Sequence, residues 1–251
     1  MAGHSKWSKV KHIKAVVDVR RGKLFSKLAK EITVATKMGG GDPSGNPRLR
    51  AAIAAARAQS MPGDNIDRAI KRGTGDHGPG SVIEELTYEG YAPGGVAVLV
   101  EVATDNKNRA AADLRLIFSK NHGSLASSGS VAYLFKRRGQ ITIPRASIDE
   151  DKVLELALEA GAEDVSADDE HHIVTTAHDR LYAVADALRQ SGVTADSQKL
   201  TFIPDTTIQL TDESVAQQVL RLCDALEEND DVQHVHANFD VSEDILARLS
   251  G

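Results

Sequence analysis

Gln140-Ile141-Thr142-Ile143-Pro144 opens, and Lys199-Leu200-Thr201-Phe202-Ile203 closes, a segment with a complete pattern of its own. Both ends alternate in the manner of strands. Between them, residues 151–160 and 180–191 carry helical periodicity, and residues 163–166 and 172–176 supply two more strands. The order is β-α-β-β-α-β, the split arrangement of ferredoxin-like folds.

Working outward, residues 85–91 and 96–104 read as strands joined at Pro93-Gly94-Gly95. Residues 108–121 form a helix with Leu114, Ile117 and Phe118 inward, and residues 130–135 a further strand. On the other side, residues 207–210, 214–227 and 233–239 give one more β-α-β. These flanking pieces complete each other. The expectation is an α+β chain of three domains: a basic helical domain over residues 1–80, a discontinuous middle α/β domain from 81–135 and 205–251, and an α/β domain of residues 136–204 inserted into it. The ends of an inserted domain should lie close together.

The first 80 residues lack strand alternation. Residues 23–38 form an amphipathic helix in which Lys23, Lys27, Lys30 and Lys37 fall within an arc of about 80°, opposite Leu24, Phe25, Leu28, Ile32 and Ala35. Gly39, Gly40 and Gly41 end it, and the glycine-rich loop runs on to Gly45. Asn46-Pro47 starts an alanine-rich helix to Ser60, with Asn as N-cap and Pro at its first position. Pro62 breaks that helix, residues 65–71 make a last short one, and residues 76–81 are a linker.

Charge separates along the chain. Residues 1–75 hold nine Lys and seven Arg against five acidic residues, a formal charge of +11. The other residues hold 14 basic and 31 acidic side chains, a balance of −17, so the overall −6 hides a basic head on an acidic body. A head of this kind points to a polyanion. At its start, His4, Lys6, Trp7, Lys9, Lys11 and Lys14 interleave the one indole with positive charge, so Trp7 could stack on a base or plug the end of the bundle. The other candidate nucleic-acid residues are Arg20, Arg21, the four-lysine stripe, Arg48, Arg50, Arg57, Arg68, Lys71 and Arg72. The loop glycines would let backbone enter a narrow RNA cavity; a plain connector explains them equally well.

Other chemistry is weakly represented. Asp105-Asn106-Lys107-Asn108-Arg109 is the densest polar cluster, yet it sits where Asp105 or Asn106 would cap the following helix. With Glu89 and Tyr91, the residues Asp105, Asn106, Asn108 and Arg109 form a candidate partner surface; no catalytic residues are assigned. The histidines lack a third ligand at metal spacing, so no metal and no cofactor are expected. One cysteine, Cys223, excludes an internal disulfide and fits a reducing compartment. No apolar run approaches the roughly 18 residues that span a bilayer. The expected location is the cytoplasm, without membrane association. Oligomeric state is not legible, and a monomer is the simpler expectation.

Several motifs together carry a family resemblance: Gly3-His4-Ser5-Lys6-Trp7, Arg20-Arg21-Gly22-Lys23, Gly40-Gly41-Asp42-Pro43-Ser44-Gly45-Asn46-Pro47, and the run from Met61-Pro62 to Arg72-Gly73. Tyr88-Glu89-Gly90-Tyr91-Ala92-Pro93, Thr104-Asp105-Asn106-Lys107-Asn108-Arg109 and Gly129-Ser130-Val131 continue it in order. The chain resembles the YebC-type family, which includes the mitochondrial translational activator of cytochrome c oxidase subunit I. The resemblance implies a helical N-terminal domain, two α/β domains and a role in gene expression, either as a DNA-binding transcriptional regulator or as a ribosome-associated translation factor. The residues favour RNA and the ribosome, because no short turn precedes a recognition helix with Arg, Asn or Gln at its start. Duplex DNA is the alternative partner.

Overall fold

The computed structural model describes residues 17–75 and 82–250. Helix α1 (Val17–Gly39) is crossed by α2 (Pro47–Ala58) and α3 (Gly63–Thr74). Ile32, Ala35, Leu49, Ala52, Ile53, Ala56, Met61, Ile66 and Ala69 form their core. Small side chains on α2 allow close approach, and the tightest crossing is that of α1 and α3. A Cβ at Gly73 would lie 2.5 Å from Thr36 Cβ and 2.6 Å from the Thr33 carbonyl oxygen. The last helix therefore runs on past residue 71, where the expectation ended it, and through Gly73, which sits at the contact with α1. Gly75, with φ of 84°, is the actual left-handed cap.

The hairpin of β1 (Glu84–Tyr91) and β2 (Ala97–Thr104) is antiparallel throughout. Helix α4 (Lys107–Lys120) follows, with Asn106 as its N-cap, and the two-residue strand β3 (Ser124–Leu125) returns to β1. Residues 130–134 are where expectation and structure part: they form a turn and a short 3-10 segment, and strand begins only at Phe135. The cause is Glu89. Its buried carboxylate accepts the N–H groups of Gly129 (2.6 Å), Val131 (2.7 Å) and Ala132 (2.8 Å). Desolvation pushes that carboxyl up, but the amides outweigh it and hold it below the ordinary value. Amides converging on one carboxylate cannot also serve a ladder.

From there β4 (Phe135–Pro144), α5 (Glu150–Glu159), β5 (Asp164–Ala167), β6 (His171–Ala177), α6 (Leu181–Gln190) and β7 (Ser197–Pro204) follow the β-α-β-β-α-β order. The sheet is antiparallel in the order β5-β6-β4-β7, with Ile141, Ile143, Val153, Val174, Leu181 and Val184 in its core. Phe135 pairs with Pro204, and Asp205 donates its N–H to the Leu134 carbonyl at 2.9 Å, so chain entry and exit are neighbours.

After β8 (Ile208–Leu210), the long helix α7 (Glu213–Glu227) leads to β9 (Val232–Ala237), which joins β2 and completes the order β3-β1-β2-β9. β8 does not join that sheet; it pairs in parallel with β10 (Phe239–Val241). A helix the sequence reading lacks, α8 (Glu243–Ser250), places Ile245 and Leu246 in the same core as Val98, Val100, Phe118, Leu222 and Leu226. Gly73→Ala tests the helical crossing. Helix propensity alone favours alanine by about 0.8–1 kcal/mol. We expect net destabilisation of about 1–3 kcal/mol from overpacking, read from the urea midpoint.

Candidate nucleic-acid interface

Three lysines of the α1 stripe, Lys23, Lys27 and Lys30, lie on the end of α7 and the turn after it, whereas Lys37 is exposed. Lys27 Nζ donates to the Glu227 carbonyl at 2.7 Å and Lys23 Nζ to the Glu228 carbonyl at 3.1 Å. Lys30 Nζ donates to the Asp230 carbonyl at 2.8 Å and to the Asp231 carboxylate at 2.6 Å. Glu227 is the last residue of α7 and Glu228 its C-cap. The last carbonyls of a helix lack intrahelical partners and carry the negative end of its dipole, so Lys27 and Lys23 are matched to them, while Lys30, one turn on, serves the turn that follows. Lys37, farther along, reaches the Ile83 carbonyl at 3.3 Å.

Asp231 anchors this contact. It is buried and accepts from Lys30, from Arg109 at 2.9 Å and from Thr104 at 3.0 Å. Burial pushes its carboxyl up, but these three donors outweigh burial and hold it below its ordinary value. Arg109 also pairs with Asp105 at 3.0 Å, and Arg72 of α3 approaches Asp105 at 3.9 Å. A cleft of about 480 Å³ opens here, with Ser26, Lys30, Arg72, Arg109 and Asp113 among its walls. Lys30, Arg72, Asp105 and Arg109, far apart in sequence, are thus brought together.

Two more of the expected cations hold the fold. Arg48 binds Glu31 at 2.8 Å and Glu85 at 2.6 Å, tying α2 to α1 and β1. Arg50 donates to the Pro43 carbonyl at 3.0 Å and stands 3.5 Å from Asp186 of α6. The glycine loop is pinned as well. The Asn46 side chain donates to the carbonyls of Ala35 (2.8 Å) and Gly40 (2.9 Å), while its own oxygen accepts the Leu49 N–H at 3.1 Å. A Cβ at Gly39 would lie 2.7 Å from that side chain. Gly40 takes φ of 87°, and Gly41 packs against Thr74, whereas Gly45 faces open space.

Arg57, Arg68, Lys71 and Arg72 remain exposed. Arg68 donates to the Asp64 carbonyl and to Asn65, contacts within its own helix. His4, Lys6, Trp7, Lys9, Lys11 and Lys14 lie outside the described residues, as do the side chains of Arg20 and Arg21. Of the candidate partner surface, Glu89 is buried and its carboxylate fully engaged. The Tyr91 hydroxyl donates to the Ser130 carbonyl at 3.0 Å, and Asn106 caps α4 by accepting the Arg109 N–H at 3.0 Å. Asn108 is exposed. Sequence reasoning missed Asp231 and the carbonyls of 227–230. Backbone acceptors carry no residue identity; the legible hint was the acidic run Glu227-Glu228-Asn229-Asp230-Asp231 just after a helix.

A helical bundle clamped by lysines onto a mixed sheet unit, with a ferredoxin-like sheet leaving and re-entering at one point, defines a multidomain α+β protein. Two family models match it: the TACO1/YebC N-terminal domain over residues 5–76, and the TACO1/YebC second and third domain over residues 83–239. The chain belongs to the TACO1/YebC family. It is 54% identical over its full length to a full-length protein of Rubrobacter xylanophilus named "Probable transcriptional regulatory protein". It is also 53% identical to a similarly named protein of Chlorobaculum tepidum, with 99% of each chain covered. The crystal structure of a conserved hypothetical protein from Aquifex aeolicus superposes with a TM-score of 0.85 at 50% identity, covering 92% of this chain and 94% of that one.

Asp231→Ala should cost about 1.5–3 kcal/mol, the scale of charge-assisted hydrogen bonds removed together, and should raise amide exchange in α1 and at the end of α7. Lys30→Ala should cost less, because Arg109 and Thr104 still serve Asp231. The pH dependence follows from the depressed carboxyl. Its contribution is complete above the ordinary value of 3.8 and disappears as pH falls from there through the lower folded-state value. Urea midpoints of the wild type and Asp231→Ala should therefore converge in acid.

Proposed function

We propose that this protein is a non-enzymatic, nucleic-acid-binding regulator of gene expression, acting in the cytoplasm as an RNA- or ribosome-associated translation factor. The observation that carries the reading is the charge segregation, +11 over the first 75 residues beside −17 over the rest. The stripe Lys23, Lys27, Lys30 and Lys37 is left out of the interface, since those side chains serve the contact with α7 and Ile83. The interface is assigned instead to Lys6, Trp7, Lys9, Lys11, Lys14, Arg20 and Arg21, extended by exposed Arg57, Arg68, Lys71 and Arg72. Cations of this kind bind a phosphate backbone with little sequence preference and strong salt sensitivity.

A second reading, a DNA-binding transcriptional regulator, is favoured by the names of the relatives. The fit of α2 to a major groove is poor, because Arg48 and Arg50 at its start are already held by Glu31, Glu85 and the Pro43 carbonyl. An enzymatic reading finds little support in the polar cluster at Asp105, whose Asn106 is a helix cap and whose Arg109 is an ion-pair partner.

Competition among duplex DNA, ribosomal RNA and intact ribosomes at about 150 mM salt, where non-specific contacts weaken, separates the two readings. Ribosome and RNA binding should dominate, and Arg57→Ala/Arg68→Ala/Lys71→Ala should weaken it severalfold while the fold persists. Sequence-specific duplex binding without ribosome association would overturn the RNA reading.

A further inference from the structure

The face of β2 turned away from α4 and α7 carries Ala97, Leu99, Glu101 and Ala103 in alternation. Leu99 packs with Phe135 and Phe202 of the second sheet, and Ala103 with Val34 of α1 and with Ile83. Glu101 stands between these two contacts, at the seam where bundle, first sheet and second sheet meet. His234 is its ladder partner on β9, and His236 Nε2 lies 2.8 Å from its carboxylate. Burial pushes the Glu101 carboxyl up, but His236, His234 and Arg137 together hold it below its ordinary value. Phe202 meets His236 edge-on with ring centroids 5.4 Å apart, and His234 and His236 are 6.2 Å apart.

Two cations border these rings: Arg137, opposite Phe202 in the ladder, and Lys199 on the adjacent edge strand β7, near enough to Glu101 and His234 to act on both. In the run Lys136-Arg137-Arg138, Lys136 pairs with Asp205 at 2.8 Å and Arg138 with Glu163 at 3.0 Å. Alternation sends Arg137 to the other face, opposite Phe202 in the ladder. Among the described residues neither Arg137 nor Lys199 of β7 makes a side-chain hydrogen bond or ion pair, and both are exposed. Crowding by the surrounding chain still pushes the Lys199 ammonium down, against the pull of Glu101 and Glu227. His234 is also exposed. Its imidazole is pushed from 6.5 to about 4 by desolvation, and either value leaves it a neutral ring at pH 7.

We propose that this seam binds a single-stranded nucleic acid, with Arg137 and Lys199 taking backbone phosphates and the His234 ring stacking on a base. Cations flanking an exposed ring are the sequence-tolerant design for unpaired strands, and only an unpaired base offers its face. The proposed contact residues belong to the two sheets and not to the helical head, and the inference rests on the nucleic-acid reading given above.

The test is fluorescence anisotropy of the full chain with labelled oligo(U) and oligo(dT) of about 12 nucleotides, within the usual site size. Arg137→Ala/Lys199→Ala should weaken binding and flatten the slope of log affinity against log salt by about 0.7 for each phosphate no longer neutralised. His234→Ala should weaken binding roughly fivefold or more, and His234→Phe, which keeps a stacking face, should restore it. A preference for oligo(U) over oligo(dT) would identify the strand as RNA. Circular dichroism melting confirms that each variant is folded. If the wild type binds and only Arg57→Ala/Arg68→Ala/Lys71→Ala weakens it, the seam is not a site and the general reading survives. If the wild type binds neither oligomer nor ribosomal RNA, both fall.

Discussion

Strand β2 is buried on both faces, and the arrangement of every other element follows from that. One face supplies Val98, Val100 and Val102 to the core under α4 and α7; the other supplies Leu99 to the second sheet and Ala103 to the bundle. An antiparallel sheet commonly leaves one face to water. Here the second face is covered twice, by two units that do not share a core. Ala97-Val98-Leu99-Val100 therefore reads as a continuous apolar run, and the one charge in the strand, Glu101, falls where the two covers meet.

The contact between bundle and sheet explains why a charge count overstates a nucleic-acid surface. A basic segment beside an acidic one in the same chain can satisfy itself before any partner arrives. Lys23, Lys27 and Lys30 carry the spacing expected of a phosphate-tracking face, but the same spacing fits the terminal carbonyls of α7. Helix carbonyls offer partial charge at fixed positions that residue identity does not reveal, and only the acidic run 227–231 hints at them. Asp231 adds the one full charge, and its burial with three donors makes the contact specific as well as attractive.

The legible parts of this fold were those set by local periodicity. The β-α-β-β-α-β order of residues 135–204, the three described helices of the head and the hairpin at Pro93-Gly94-Gly95 follow from residue spacing and turn chemistry. The parts that escaped depend on distant partners. Residues 130–134 look like strand, yet a carboxylate more than 40 positions upstream claims their amides. Gly73 looks like a helix stop but is a packing residue against Thr33 and Thr36. The site was less legible still, because residue type alone does not separate an arginine that binds phosphate from one that, like Arg48, ties two carboxylates of its own chain.

Removing the engaged cations changes what a nucleic acid would meet. On the proposed reading, the cations left to a nucleic acid are spread along the chain: those of residues 1–21, a few side chains on the outer turns of α2 and α3, and Arg137 and Lys199. A recognition helix presents a compact row of side chains from one rigid element to one groove. Cations spread over separate elements instead suit a backbone that bends and changes direction. Folded RNA has such a backbone, and straight duplex DNA does not. The rigid clamp on α7 then acquires a purpose in either reading, since it fixes the spacing between the outer helices and the seam.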